Sequence, residues 1–301
     1  MYRHNPLCLY TKKQQTMKTL QKALLVLSLL AFFSISMMAQ SSKVIKEKMN
    51  LSGFSAISIS GGWSAVITEG DDFLVTIEAH EESMENLRVE VRNETLYVYN
   101  EDRKFRFSDM FRLRRNNIRK VYITLPELQK ITASGGSDIF PQTSFSTDNM
   151  EVVLSGGSDL KGLSLDCQSL YCKMSGGSDA SIHLVNGENE NVKITTSGGS
   201  DVSLSGLSAT LLEINASGGS DLKLEGATTN LQLNSSGGSD VYAFKLKTKN
   251  CTATLSGGSD ADLYVTDALN VSISGSGDVR CKGNPSSVEK TMSRGSSLRM
   301  M

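Results

Sequence analysis

The chain has 301 residues with 31 Lys/Arg, 32 Asp/Glu and 26 Gly, a formal net charge of -1. Residues 1–39 hold five of the basic residues and no acidic one, so the remainder carries 26 positive against 32 negative charges, about -6. That balance excludes general nucleic-acid binding, which rests on neutralising phosphates with Lys and Arg.

The first element is LLVLSLLAFFSISMM, Leu24 to Met38, an uncharged apolar run preceded by Lys18 and Lys22 and followed by Ala39-Gln40. A basic start, a short apolar core and a small exit residue read as a secretory signal peptide over residues 1–39. Met17 is a second candidate start, which would leave residues 1–16 outside the protein. The run is shorter than the roughly 20 apolar residues of a membrane-spanning helix, and no later segment is apolar enough. The expected product is exported to the periplasm, the outer-membrane surface or the extracellular space.

Residues 40–133 follow as a less regular β part. Strand-like runs are expected at Ala65–Thr68, Phe73–Glu78, Leu87–Val91, Leu96–Tyr99 and Lys120–Leu125, packed on the first coils of what comes next. Within this part lies RKFRFSDMFRLRRNNIRK. Arg103, Lys104, Arg106, Arg112, Arg114, Arg115, Arg119 and Lys120 make it locally basic in an acidic chain. It reads either as a solvated loop covering the end of the fold or as a patch for anionic surfaces.

From residue 134 to 301 one pentapeptide dominates. SGGSD starts at Ser134, Ser155, Ser175, Ser197, Ser217, Ser236 and Ser256, and SGSGD at Ser274. Its aspartates, Asp138, Asp159, Asp179, Asp201, Asp221, Asp240, Asp260 and Asp278, recur every 18 to 22 residues. A fixed period near 20 marks a solenoid. Before each turn, positions -5, -3 and -1 are apolar, as in Met150, Val152 and Leu154. The positions between are mostly polar: Glu151, Lys173, Lys193, Glu213, Gln232, Thr254. After each Asp, positions +1 and +3 are apolar again. This period-2 alternation means strands with one buried face. Twenty residues cannot hold a strand–helix–strand unit of about 30. The predicted fold is all-β, a right-handed parallel β-solenoid in which each coil has a strand, the turn, a second strand and a variable connection. SGGWS at Ser60 and SRGSS at Ser293 are degenerate copies, expected as atypical end coils.

The Asp row poses an electrostatic question. Carboxylates stacked about 4.8 Å apart repel by about 0.9 kcal/mol per pair in water. Either Ser hydroxyls and Gly N–H groups of the same or the next turn satisfy them, or cations such as calcium sit between them, or they contact a partner. The sequence implies no other cofactor or metal. Trp63, in the first degenerate turn, reads as end-coil packing or as a sugar-stacking ring. Cys172 and Cys251 occupy inward positions four coils apart, about 19 Å, too far for a disulfide; with Cys281 they read as free core thiols, while Cys167 falls in a connection. His80 and His183 lie far apart in coil order and form no Ser-His-Asp arrangement, so no catalytic residue is assigned.

NLSGFSAISISGGWSAVITEG at 50–70, VEVRNETLYVYN, KVYITLPELQKITASGGSD at 120–138 and the tandem turns together resemble the head domain (GIN domain) family of auto-transporter adhesins, over nearly the whole mature chain. The resemblance implies a right-handed β-helix and a role in adhesion at the cell surface, and brings no catalytic residues. The chain shows no run of ten-residue amphipathic strands after the solenoid, so the autotransporter label is not extended to a barrel here. The expected function is a non-enzymatic surface adhesion or interaction module with a surface glycan or protein as partner. Its ligand and oligomeric state are unspecified. The alternative is a carbohydrate-active enzyme using a groove of the β-helix.

Overall fold

The computed structural model describes residues 43–101, 118–186 and 189–301. The chain divides into residues 1–43 and a compact unit, Val44–Met301, and the description below concerns the second. Among the described residues no helix is long and apolar enough to cross a membrane.

The unit is a parallel β-solenoid of about eight turns, its coils about 20 residues apart. The repeating coils are built from β10 (Ser144–Ser155), β11 (Asp159–Ser175), β12 (Asp179–Leu184), β13 (Asn189–Thr196), β14 (Asp201–Ala216), β15 (Asp221–Ser235), β16 (Asp240–Gly257) and β17 (Asp260–Gly275). Each residue pairs with its counterpart one period on. Val152 opposes Cys172, Cys172 opposes Ile194, and the column continues through Ile214, Leu233, Ala253 and Val271. Every member is buried, because alternate side chains of a strand leave on opposite faces and the apolar set points inward.

The connection predicted as variable is itself strand. β16 runs 18 residues without a break, bending at corners where the register shifts. At one such corner Gly206 has φ 71, and a Cβ there would lie 2.0 Å from the Leu184 carbonyl oxygen. Glycine is required both for the left-handed backbone and for the approach of the preceding coil. The third side adds its own buried column, Phe145 and Leu165 opposite one another, then Leu184. Cys167 therefore lies in a strand, opposite Thr147, and is buried. Its place in an irregular connection is corrected: the inward alternation persists through the corner.

The N-terminal strands match the sequence reading. They are β1 (Val44–Met49), β2 (Ala56–Ser60), β3 (Ser64–Glu69), β4 (Leu74–His80), β5 (Leu87–Arg92), β6 (Thr95–Asn100), β7 (Arg119–Leu125), β8 (Lys130–Ser134) and β9 (Asp138–Pro141), with one helical turn, Glu81–Met84. β2 and β3 stack in parallel on β8 and β9, which puts Ser64 opposite Asp138 and makes SGGWS the turn of a true coil. It is not the outermost layer. β6 and β7 stack on its far side, and β4, β1 and β5 complete the cap in antiparallel pairings. At the other end β18 (Asp278–Lys282) stacks on β17, and β19 (Ser287–Met292) with β20 (Ser297–Met300), which stacks on β18, forms the last, largely exposed coil. Its Lys290 stands at the inward column, opposite Val271; an inward charge blunts an edge strand against further pairing.

Candidate functional site

The repeated turn is held from inside. Its second serine is fully buried in all seven SGGSD copies, from Ser137 to Ser259. In six of them the hydroxyl donates to the carbonyl of the first serine, as Ser220 to Ser217 at 3.1 Å and Ser259 to Ser256 at 3.1 Å. One pentapeptide adopts two turn forms. In the early copies both glycines are left-handed, φ 64 and 75 at Gly156 and Gly157. From Ser175 on only the first is, with φ 84 at Gly176 and 87 at Gly218. These are the backbone signatures of the two mirror-image turns. The inter-coil bond reverses with them: the Gly136 N–H donates forward to Gly156, whereas the Gly199 N–H donates back to Gly176.

The aspartates form one row along the edge of the second strand. Asp138, Asp159, Asp179 and Asp201 oppose one another in succession, as do Asp221, Asp240 and Asp260. The expected Ser and Gly partners for their carboxylates are borne out at Asp278 alone and corrected elsewhere. The serine hydroxyls of the repeated turn serve backbone carbonyls, and the carboxylates of Asp179, Asp201 and Asp260 accept instead from the backbone of the next Asp. The Asp221 N–H donates to Asp201 Oδ1 at 3.2 Å and the Asp278 N–H to Asp260 Oδ1 at 2.8 Å. In the last coil Ser297 stands where Asp would, and its hydroxyl donates to Asp278 Oδ1 at 2.7 Å. Partial burial raises the Asp179 carboxyl above its ordinary range, and Asp159 and Asp201 add to it, with a backbone hydrogen bond from Asp201 and then Lys161 opposing. Burial likewise raises Asp221, followed by repulsion from Asp201 and Asp240, with Lys223 opposing. Among the described residues no group of three or more His, Cys, Asp or Glu side chains is placed to hold a metal ion.

Beside this row lies a groove of about 250 Å³. Asp159, Asp179, Asp201 and Asp221 flank it. The neighbouring outward position holds Lys161, then Ser181 and Ser203, then Lys223. Two short side chains between two long ones make the depression, and Lys161 Nζ meets Asp159 Oδ2 at 3.2 Å. The sequence reading found the Asp row but missed the lysines and serines. Tabulating position +2 down the repeats finds them.

A second, larger groove of about 610 Å³ lies on the outer face of the first strand of the early coils, between the Asn93–Glu94 turn and Lys193. Its outward positions were noted only as polar.

Of the basic segment, Arg103, Lys104, Arg106, Arg112, Arg114 and Arg115 lie outside the described residues. Lys120 is exposed on β7. Arg119 is used internally: Nη1 donates to the Gly61 carbonyl at 3.2 Å and Nε to Ser83 Oγ at 3.4 Å. Trp63 is fully buried and its Nε1 donates to Asn100 Oδ1 at 3.0 Å, so it is a packing residue and cannot stack on a sugar. It occupies the place of the buried serine in its turn. The exposed His183 pairs through Nδ1 with Ser205 Oγ at 3.0 Å.

Comparison with known proteins agrees with this architecture. No curated protein matches the chain in sequence. Among solved structures, a "putative lipid binding protein" from Parabacteroides distasonis superposes with a TM-score of 0.64 at 16% identity, covering 87% of this chain and 98% of that one. A "putative adhesin" from Parabacteroides merdae gives 0.59 at 15% identity over 87% and 97%. A second from Parabacteroides distasonis gives 0.57 at 16% over 87% and 98%. At these identities the likeness is one of fold. Residues 53–209 and 179–285 each match the family model described as "Putative auto-transporter adhesin, head GIN domain", together well over half of the chain, and the chain belongs to that family.

Proposed function

We propose that the chain is an exported, non-enzymatic interaction module that adheres to a polar ligand through side chains on the outer faces of the solenoid. The observation that carries this is the groove beside the turn ladder, with carboxylates along one side and Lys161 and Lys223 at its two ends. Its groups stand on paired strands, and a rigid scaffold holds a contact surface in place without an ordering cost on binding. The charges are spread along the solenoid axis rather than converging on one reacting atom, as acid–base catalysis requires. Membership of an adhesin family and the adhesin descriptions of two structural relatives support the same reading. One relative is described as lipid binding. Here columns of buried side chains fill the interior, so a lipid would have to lie outside, against Asp and Lys, and a polar ligand fits that lining better.

On this reading residues 1–39 are removed on export, and the Asp row serves mainly to build the turn edge that displays the groove. N-terminal sequencing of the exported protein should begin at or near Gln40. The exported protein, screened on an array of glycans and matrix proteins, should retain at least one ligand. Lys161→Ala with Lys223→Ala should weaken the binding of a charged ligand held in this groove about tenfold without lowering the melting temperature. Release of new reducing ends from a polysaccharide would instead establish the enzyme alternative.

A further inference from the structure

We propose that the larger groove on the first-strand face is a second binding site, for a neutral, hydroxyl-rich ligand, an oligosaccharide lying along the solenoid axis. The inference rests on the reading of the chain as an interaction module, but on different residues.

Its volume of about 610 Å³ falls within the range of small-molecule sites. Two rows of outward side chains line it. Asn149, Ser169 and Asn191 oppose one another in one row. Lys130, Glu151, Tyr171 and Lys193 form the other, spanning three coil steps, about 14 Å.

The amide row differs from the same row further along the solenoid. There Asn250 Nδ2 donates to Asn230 Oδ1 at 3.2 Å, and Asn230 Nδ2 donates to the Thr210 carbonyl at 3.4 Å, an amide ladder that satisfies itself. In the groove Ser169 interrupts the ladder. The side chains of Asn149 and Asn191 then have no hydrogen-bond partner among the described residues. Each keeps a donor and an acceptor aimed at solvent, two coil steps apart. Paired donor and acceptor capacity is what a sugar hydroxyl, itself both donor and acceptor, can use.

Tyr171 stands in the adjacent row, between the two amides along the axis. Tyr99, Tyr122 and Tyr242 each commit the hydroxyl to a carboxylate. Tyr171 has no such bond among the described residues, and its half-buried ring offers a flat apolar surface with a polar tip. Both lysines of the groove are already matched, and the exposed Glu94 carboxylate at its wall has no ion-pair partner among the described residues. Lys130 Nζ meets Glu151 at 2.8 Å and Lys193 Nζ meets Glu213 at 2.8 Å. An anionic ligand would have to break these pairs to reach a cation, whereas a neutral one need not.

The groove has a fixed wall. The Asn93–Glu94 turn carries two non-glycine residues at φ 47 and 58, a conformation rare outside glycine. It is tied to the first coil by the Glu94 carbonyl, which accepts the N–H groups of Ser55 at 3.0 Å and Ala56 at 3.2 Å.

The test is a glycan array with neutral and anionic members, a peptide array beside it, and four forms of the exported protein: wild type, Tyr171→Ala, Asn149→Ala/Asn191→Ala, and Lys161→Ala/Lys223→Ala. Tyr171→Phe is added to separate the ring from the hydroxyl. The expected result is binding of a neutral glycan, weakened at least tenfold by Tyr171→Ala and by the double Asn variant, and unchanged by the double Lys variant. Tyr171→Phe should retain most of it, and all variants should keep the wild-type melting temperature. Glycan binding lost only in the double Lys variant overturns this site and leaves the module reading intact. Binding to peptides or to charged glycans alone overturns the ligand class. Absence of any bound ligand overturns both readings.

Discussion

Arg280 closes on Asp262 across adjacent coils, Nε to Oδ1 at 2.6 Å and Nη2 to Oδ2 at 2.7 Å. The Asp262 side chain is only 12% exposed, and the guanidinium also lies 5.6 Å from the Phe244 ring centroid. The pair ties β18, on which the last strand β20 stacks, to β17. A fork-to-fork pair is stronger than a single ionic contact. Arg280→Ala should leave a largely buried carboxylate without its partner. We expect faster amide hydrogen exchange over Ser287–Met300 and a lower melting temperature, while Asp262→Asn with Arg280→Gln should recover part of the loss.

The two glycines of one turn should respond oppositely to alanine. Gly218 has φ 87, and a Cβ on it would lie 2.5 Å from the Gly198 carbonyl oxygen. Gly219 has nothing within 4 Å of that position and no left-handed φ. Gly218→Ala should cost about 2–4 kcal/mol, combining left-handed strain with a backbone clash. Gly219→Ala should fall between neutral and a gain of about 0.5 kcal/mol. Urea denaturation of both variants decides it, and equal losses would refute the two-form description of the turn.

The aspartate row should make stability fall as pH rises through the acid range. Asp179 and Asp221 are raised in the folded protein, chiefly by partial burial and then by neighbouring aspartates. A raised folded-state pKa means the folded state holds more protons than the unfolded one in that window, so stability is lost as pH rises through it. Asp179 is exposed and Asp221 half-buried, so the effect per residue is small. Asp179→Asn and Asp221→Asn should each raise the melting temperature at pH 7. The gain should vanish near pH 4, where the unfolded carboxylate also takes up its proton.

Thr196 is the one place among the described residues where a buried side-chain polar atom, Oγ1, lacks a hydrogen-bond partner. It occupies an inward column position opposite Ala216. Thr196→Val keeps the shape and removes the stranded hydroxyl. It should raise stability by about 1 kcal/mol, read as a higher denaturation midpoint with an unchanged slope.

The thiols should be silent in the native protein. Burial pushes Cys167, Cys172 and Cys251 up to about 12, and Cys281 is raised in the same direction. The thiolate is the reactive form, so alkylation of the native exported protein at pH 8 should be slow at all four. In denaturant without reductant all four should react. A bridge between Cys172 and Cys251 would contradict the register, because they lie four coils apart in parallel stacking.

The period near 20, the inward columns and the place of each turn were legible from the residues alone. A solenoid repeats its local instruction in every coil, and an inward residue such as Val152 or Leu212 declares itself by alternation. Trp63 was left open between packing and sugar stacking, and its burial decided for packing. What only the tertiary structure decided is what identical or merely polar letters cannot carry. The same SGGSD takes one turn form at Ser155 and another at Ser175, because the choice depends on which neighbouring coil accepts the backbone bond. The carboxylate of Asp201 is met by the backbone of Asp221, twenty residues on, and not by a serine of its own turn. Both grooves are formed by side chains several coils apart, Lys161 with Lys223 across three coil steps and Asn149 with Asn191 across two. Their depth depends on short residues in the coils between, a relation across the stack that no single stretch of the chain contains.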